Sequence, residues 1–145
     1  MGRVAFTTLI EAPVERVFEF WTDASRYPEW FPRARKISNV SAPLDQPGAR
    51  YTLHLDGPMR AHCQVTRVER NRRHEHVFKQ TPLPSSGQAV VFFDAAPGGT
   101  SLTFDASYEI AGGPIGRFFD RVLLARVAEP RMRQEIANFK ALVEQ

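Results

Sequence analysis

The sequence predicts an α+β fold in which a seven-stranded antiparallel sheet packs against a long C-terminal helix, with two short helices after the first strand. The 145 residues suit a single domain, residues 1–145, because no repeat, low-complexity tract or composition shift divides them. Strand-like segments with short connections fill the middle of the chain, and short connections favour antiparallel neighbours. Near the C-terminus the apolar residues recur with the period of a helix.

The first strand is predicted over residues 3–10, because RVAFTTLI is rich in β-branched and aromatic residues. Pro13 suits the first turn of a helix, where its missing N–H has no acceptor to lose. The apolar residues that follow at three- and four-residue spacing are Val14, Val17, Phe18 and Trp21. Asp23 is predicted to N-cap a second short turn that runs through Tyr27 and ends at Pro28.

Six further strands are predicted after Pro32. In order they are ARKISNV, ARYTLHL, MRAHCQVTRVE, HEHVFKQ, GQAVVFFDAA and TSLTFDASYEI. The last segment alternates most clearly, and its apolar positions are Leu102, Phe104, Ala106, Tyr108 and Ile110. We therefore expect a sheet with one buried face and one solvated face.

The C-terminal helix is predicted to begin after the glycines at 112 and 113. Its apolar positions at helical spacing are Ile115, Phe118, Phe119, Val122, Leu123, Met132, Ile136, Phe139 and Val143. Pro130 interrupts this pattern, so a kink or break is predicted near residues 127–129.

Charge and cysteine content exclude several classes of protein. The net charge of +3 comes from scattered arginines, and the two basic groups, RARK and ERNRRHEH, lack the interleaved aromatics of a single-strand binder, so no nucleic-acid partner is predicted. The single Cys63 forms no internal disulfide, so a cytoplasmic location is expected. No apolar run is long enough to span a bilayer, so stable membrane insertion is not expected.

Candidate catalytic groups are few, and no catalytic residue is assigned. Cys63 alternates with Ala61 and Val65 on one strand face, which favours an inert buried thiol. His54 and His62 lie on the two arms of the hairpin around DGP, and their parity predicts a wet outer-face pair, although a β-bulge would reverse that facing.

His74 and His76 lie two residues apart on a predicted strand and so share a face. That spacing suits a metal, but no third ligand is identifiable, so no metal site is predicted. The glycine-rich stretches lack the Walker lysine and the glycine spacing of phosphate loops, so no nucleotide is implied. The sequence predicts no cofactor.

Three segments stand out in this order of elements: IEAPVERVFEFWTDASRYPEWFP near the start, FDAAPGGTSLTFDASYEI late in the chain, and GGPIGRFFDRVL at the start of the last helix. With them, the chain resembles the START-like (SRPBCC) superfamily of polyketide cyclases, dehydrases and lipid-transport domains. The resemblance covers essentially the whole chain. It implies a helix-grip fold, in which a curved antiparallel sheet wraps around the long helix and leaves an apolar cavity between them. Members of the superfamily share no invariant catalytic motif, so no catalytic role is transferred.

Within that implied fold, strand parity and the first turns of the last helix predict the wall of the cavity. The predicted ligand-binding residues are Trp30, Tyr51, Leu53, Phe104, Ala106, Tyr108, Phe118, Phe119 and Val122. The hydroxyls of Tyr51 and Tyr108 are candidates to orient a ligand. Alternatively, Trp21, Trp30 and Phe31 are core residues that pin the short helices.

The predicted function is binding of a small hydrophobic or aromatic molecule, such as a lipid, a polyketide or a quinone-like compound. The alternative is an enzyme similar to polyketide cyclases, aromatases or dehydratases, which would act by folding a flexible substrate into a reactive shape. A third reading is a partner module that uses the cavity as a docking groove. Membership of the superfamily predicts the fold and leaves these three readings open.

Overall fold

The computed structural model describes residues 2–82, 84–110, 115, 118 and 124–145. The strands are β1 (Gly2–Ile10), β2 (Lys36–Ser38), β3 (Arg50–His54), β4 (Arg60–Glu69), β5 (Arg73–Thr81), β6 (Ser85–Ala96) and β7 (Gly99–Ile110). The α-helices are α1 (Val14–Thr22), α2 (Tyr27–Trp30) and α3 (Glu129–Val143).

The strands form one antiparallel sheet of seven strands in the order β1-β7-β6-β5-β4-β3-β2. Successive strands from β2 to β7 are neighbours, and β1 joins the sheet beside β7. Helices α1, α2 and α3 contact one another or the sheet on its buried face. The predicted α+β architecture, a seven-stranded sheet with a long C-terminal helix and short helices after strand 1, is confirmed.

The first helix follows its predicted pattern. Val17, Phe18 and Trp21 are buried, and the Phe18 ring packs edge-on against Phe93 of β6, with 5.4 Å between the ring centroids. Arg16 Nε, near the start of the helix, donates to the carbonyl oxygen of Val143 over 2.9 Å. This bond ties α1 to the C-terminal end of α3.

The second short helix differs from the prediction. Asp23 does cap the turn that follows, because its Oδ1 accepts from the Ser25 backbone N–H over 3.0 Å. Pro28, however, lies inside α2 and does not end the helical segment. A proline in the first helical turn breaks no intrahelical hydrogen bond, so the helix continues to Trp30.

The C-terminal helix changes geometry where a break was predicted. A π-helical turn, Leu124–Ala128, precedes α3, and Pro130 occupies the first turn of α3. The buried residues of α3 are Glu135, Ile136, Phe139 and Val143. Within the described ranges, no helix is long and apolar enough to cross a bilayer.

Two apolar residues assigned to the helical pattern are not buried. Ile115 is 69% exposed and Phe118 is 65% exposed. Helical spacing indicates a helix without showing whether another element covers each apolar position. Phe119, Val122 and Leu123, also assigned to this pattern, lie outside the described residues.

The inner face of the sheet carries the core, as the alternation in β7 predicts. Leu102, Phe104, Ala106 and Tyr108 are buried. Aromatic rings fill the space between sheet and helices. Trp21 stacks on Trp30 with 5.0 Å between centroids, and Phe139 of α3 packs edge-on against both indoles. These rings hold α1, α2 and α3 together above the sheet.

Candidate functional site

Small side chains lie side by side on the inner face of the sheet. Ala106 of β7 is the register partner of Ala89 on β6, and Ala89 is the register partner of His76 on β5. Ala61 of β4 lies on the same face, two strands away from Ala89. Because an alanine side chain ends at Cβ, this part of the sheet leaves space beneath the helices.

A cavity of about 100 Å³ occupies that space, between the sheet and the helices α2 and α3. Its apolar wall is made of Trp21, Tyr27, Trp30, Phe31, Leu53, Leu55, Ala61, Phe78, Ala89, Phe104, Ala106, Met132 and Ile136. Six of these are aromatic, so most flat faces available to a ligand are rings. A small number of polar groups in an apolar wall is typical of a ligand site.

One polar group of the wall is an ion pair between the loop after α2 and helix α3. Arg33 Nε donates to Glu135 Oε1 over 3.0 Å, and the Glu135 side chain is only 7% exposed. Burial raises the pKa of Glu135, and the neighbouring charge and hydrogen bond of Arg33 lower it. The pair therefore brings a carboxylate into an otherwise apolar space, held there by Arg33.

The second polar group is the imidazole of His76 on β5. Burial lowers its pKa to about 3, and the neighbouring His74 lowers it further, so the ring is neutral at physiological pH. The His76 ring has no hydrogen bond to any described residue, and its Nδ1 is fully buried. His74 lies deeper, where its Nε2 donates to the Leu44 carbonyl over 2.8 Å.

A cluster of Tyr27, Tyr51 and Cys63 adjoins the cavity, and Tyr27 and Cys63 line it. Tyr51 of β3 is the register partner of Cys63 on β4, and its ring lies 6.0 Å from the Tyr27 ring, centroid to centroid. Burial raises the pKa of the Cys63 thiol to about 12, so the thiolate is not populated near neutral pH. The prediction of a buried thiol is confirmed.

The structure places the nine predicted ligand-binding residues in four groups. Trp30, Leu53, Phe104 and Ala106 line the cavity. Tyr51 is buried beside Cys63 on the neighbouring strand and is not part of the cavity wall. Tyr108 lines an adjacent groove. Phe118 is 65% exposed and outside the described wall, and Phe119 and Val122 lie outside the described residues.

The adjacent groove is larger, about 630 Å³, but it opens on the outer face of the sheet. Exposed polar side chains such as His62, Lys79 and Glu109 surround it, so a molecule there would stay largely hydrated. The outer-face placement predicted for His54 and His62 is confirmed, but each bonds a hydroxyl on a neighbouring strand instead of the other histidine. Among the described residues, no group of three His, Cys, Asp or Glu side chains could hold a metal ion.

Sequence reasoning missed the polar part of the cavity wall: Arg33, His76, Gln80 and Glu135. Near the middle of β5 each face carries one large apolar residue, Phe78 inward and Val77 outward. Alternation alone therefore does not tell which face of β5 points into the core. Glu135 directly precedes Ile136 on a mostly polar helix, and nothing in that spacing indicates a buried carboxylate. The one usable signal for His76 was its position beside Ala89, an inward-facing residue on the next strand.

Residues 1–144 match the family described as polyketide cyclase / dehydrase and lipid transport. The chain belongs to this family. Solved structures agree in fold. A Rhizobium leguminosarum protein is 17% identical with a TM-score of 0.78, over 99% of this chain and 94% of that one. MLL2253 of Mesorhizobium loti is 19% identical with a TM-score of 0.71, over 98% of this chain and 96% of that one.

Another structure of the same fold is DynU16, a protein in the dynemicin biosynthetic locus. It is 21% identical with a TM-score of 0.75, and the match covers 100% of this chain and 48% of DynU16. No curated protein is significantly similar in sequence. The polyketide cyclase / dehydrase and lipid transport family joins enzymes and carriers, so membership supports a fold that binds hydrophobic ligands without selecting between the two.

Proposed function

We propose that this protein binds a small hydrophobic or aromatic molecule in the cavity between the sheet and α3. The observation that carries the proposal is the cluster of Ala61, Ala89 and Ala106 beneath a ring of aromatic side chains. Protein interiors are normally packed to the density of organic crystals, and a cavity costs stability in proportion to its volume. A void of about 100 Å³ kept by three alanines is therefore best explained by a ligand that fills it.

The test narrows the cavity at its floor. Ala106→Trp adds an indole on the inner face of β7, and Ala5→Trp, on the exposed side of the neighbouring strand β1, is the matched control. Toluene, acetophenone and lauric acid form the panel for titration calorimetry, and we expect at least one of them to bind the wild type saturably. Binding should be lost in Ala106→Trp and retained in Ala5→Trp.

The fold of each variant is followed by its melting temperature, because overpacking costs about 1 to 3 kcal/mol. If Ala106→Trp does not fold, Ala106→Leu narrows the same space with a smaller side chain. Loss of binding with a retained fold supports the cavity. The proposal is refuted if no compound of the panel binds the wild type saturably, or if a folded Ala106 variant binds as well as the wild type.

A catalytic role is the second candidate, and the polar wall favours it. A carboxyl held by Arg33 lines the cavity opposite the His76 imidazole, and a carboxylate can accept a proton from a bound ketone. The assay is exchange of the methyl protons of acetophenone in D₂O, followed by NMR. Exchange above the solvent rate that disappears in Glu135→Gln, with acetophenone binding retained, would identify an enzyme. Exchange at the solvent rate in the wild type would leave ligand binding as the function.

A further inference from the structure

The polar wall of the cavity has hydrogen-bonding capacity that the described protein does not use. Glu135 lines the cavity with its side chain 93% removed from solvent, as its 7% exposure shows, and only Oε1 is bonded, to Arg33. Its second oxygen, Oε2, has no partner among the described residues. Oε2 keeps some accessible surface. A carboxylate oxygen accepts hydrogen bonds and gives none, so a ligand group that pairs with Oε2 must be a donor.

A second observation comes from the opposite wall. His76, on β5 of the sheet, also lines the cavity, and its ring makes no hydrogen bond to any described residue. Most buried polar side-chain atoms in proteins have a partner, because an unpaired one loses its hydration without compensation. The buried Nδ1 of His76 on the strand side and the unpaired Oε2 of Glu135 on the helix side both face the cavity, which indicates that a ligand supplies their partners.

The size and lining of the cavity limit the rest of the ligand. An enclosed apolar cavity of about 150 Å³ holds one benzene molecule. This cavity, of about 100 Å³, is smaller but partly open, so it favours a ligand with a single ring whose substituent extends toward the opening. Six aromatic side chains line it, and ring faces pair favourably with another ring. A long acyl chain or a multi-ring polyketide would extend well beyond the aromatic lining.

We propose that the ligand is a single-ring phenol, with its ring among the aromatic side chains and its hydroxyl donating to Glu135 Oε2. The inference rests on the proposed function and specifies its ligand. A hydroxyl also satisfies His76, because it both donates and accepts. Arg33 fixes the carboxylate, so the acceptor is in place before the ligand arrives.

The test compares two isomers, p-cresol and anisole, which contain the same atoms and differ in whether the oxygen carries a proton. Calorimetric titration at neutral pH should show the wild type binding p-cresol at least about tenfold more tightly, since a hydrogen bond to a charged group adds that much. Quenching of tryptophan fluorescence locates the ligand, because Trp21 and Trp30 are the two tryptophans of the chain and both line the cavity.

Glu135→Gln tests the acceptor with little change in shape. In that variant Arg33 donates to the amide oxygen, so the NH₂ group, which donates and does not accept, faces the ligand. The preference for p-cresol over anisole should therefore fall below about threefold. Glu129→Gln is the matched control, because Glu129 makes an exposed ion pair with Arg133 on the same helix, and it should keep the wild-type preference.

The outcomes separate this inference from the broader function. If toluene, acetophenone, lauric acid and both isomers all fail to bind, the proposed function fails. The inference alone is overturned if the isomers bind the wild type equally, if Glu135→Gln keeps the preference, or if lauric acid binds more tightly than p-cresol. The comparison of p-cresol with anisole uses only the wild type, so it tests the proposed phenol ligand even if a substitution impairs folding.

Discussion

Acid should destabilise this protein through His76. The pKa of an imidazole in an unfolded chain is about 6.5, whereas burial, together with the nearby His74, lowers the pKa of folded His76 to about 3. Between these values the unfolded chain binds a proton that the folded protein excludes. The contribution of His76 to stability is therefore complete above the unfolded pKa and is lost as the pH falls toward the folded one.

The magnitude follows from proton linkage. Each pH unit inside the window changes the free energy of unfolding by up to about 1.4 kcal/mol per group, so acidification from about pH 7.5 to about pH 4.5 removes up to about 2.5 kcal/mol. His74 acts in the same direction, because burial lowers its pKa too. Glu135 acts in the opposite direction, because its raised pKa lets the folded protein take up a proton as the pH falls.

The assay is urea unfolding of the wild type and of His76→Gln at the two pH values. Glutamine does not titrate, so the variant should lose less stability on acidification, by about 1 to 2.5 kcal/mol. His62→Gln, on the exposed outer face of β4, is the control and should follow the wild type. Equal pH dependence in the wild type and His76→Gln would refute the assignment of His76 as a buried neutral group.

Two further predictions concern packing and charge. Gly87→Ala should lower stability by about 1 to 3 kcal/mol in thermal melts, because a Cβ there would lie 2.2 Å from the Ser107 carbonyl oxygen and 2.7 Å from the Phe78 ring. A melting temperature equal to that of the wild type would contradict this close approach. Arg33→Met leaves Glu135 unpaired, so it should raise the pKa of that carboxyl and cost about 1 to 3 kcal/mol at neutral pH. Because a protonated carboxyl needs no cation, this cost should shrink on acidification, and a cost independent of pH would be evidence against the pairing.

The fold was predictable because local periodicity and tertiary burial agree along most of the chain. The alternation in β7 placed Phe104 and Ala106 on the buried face, and both are buried. Pro130 marked the change from the π-helical turn to α3 because its missing N–H disfavours an uninterrupted α-helix. These signals depend only on neighbours in sequence, so the sequence is sufficient to reveal them.

Pro28 shows where local reasoning fails. The residue was interpreted as a stop, although proline is tolerated in a first helical turn, and α2 uses it there. Tertiary contacts then hold the single turn of α2, since Trp30 packs on Trp21 of α1 and on Phe139 of α3. A helix of four residues depends on such packing because helix nucleation is unfavourable in isolation.

The polar wall of the cavity was less accessible to sequence reasoning because its partners are far apart in the chain. Arg33 and Glu135 are 102 positions apart, and nothing near either residue indicates that they meet. His76 faces the cavity opposite Ala89, a pairing that depends on the register between β5 and β6. Four of the nine predicted ligand-binding residues line the cavity. For these four, strand alternation or the usual burial of aromatic residues was enough to indicate that the side chain points inward.

The polar wall also bears on why this cavity exists. A buried ion pair is weak evidence for stability, because replacing such pairs with apolar residues of similar volume is often neutral or stabilising. His76 adds no hydrogen bond within the described protein and destabilises the fold as the pH falls. An apolar wall at His76 and Glu135 would therefore make a more stable protein. Natural proteins retain such destabilising groups mainly where function requires them. The packing of the domain thus gives no reason for this polar wall, whereas the hydroxyl-bearing ligand proposed above would give it a role.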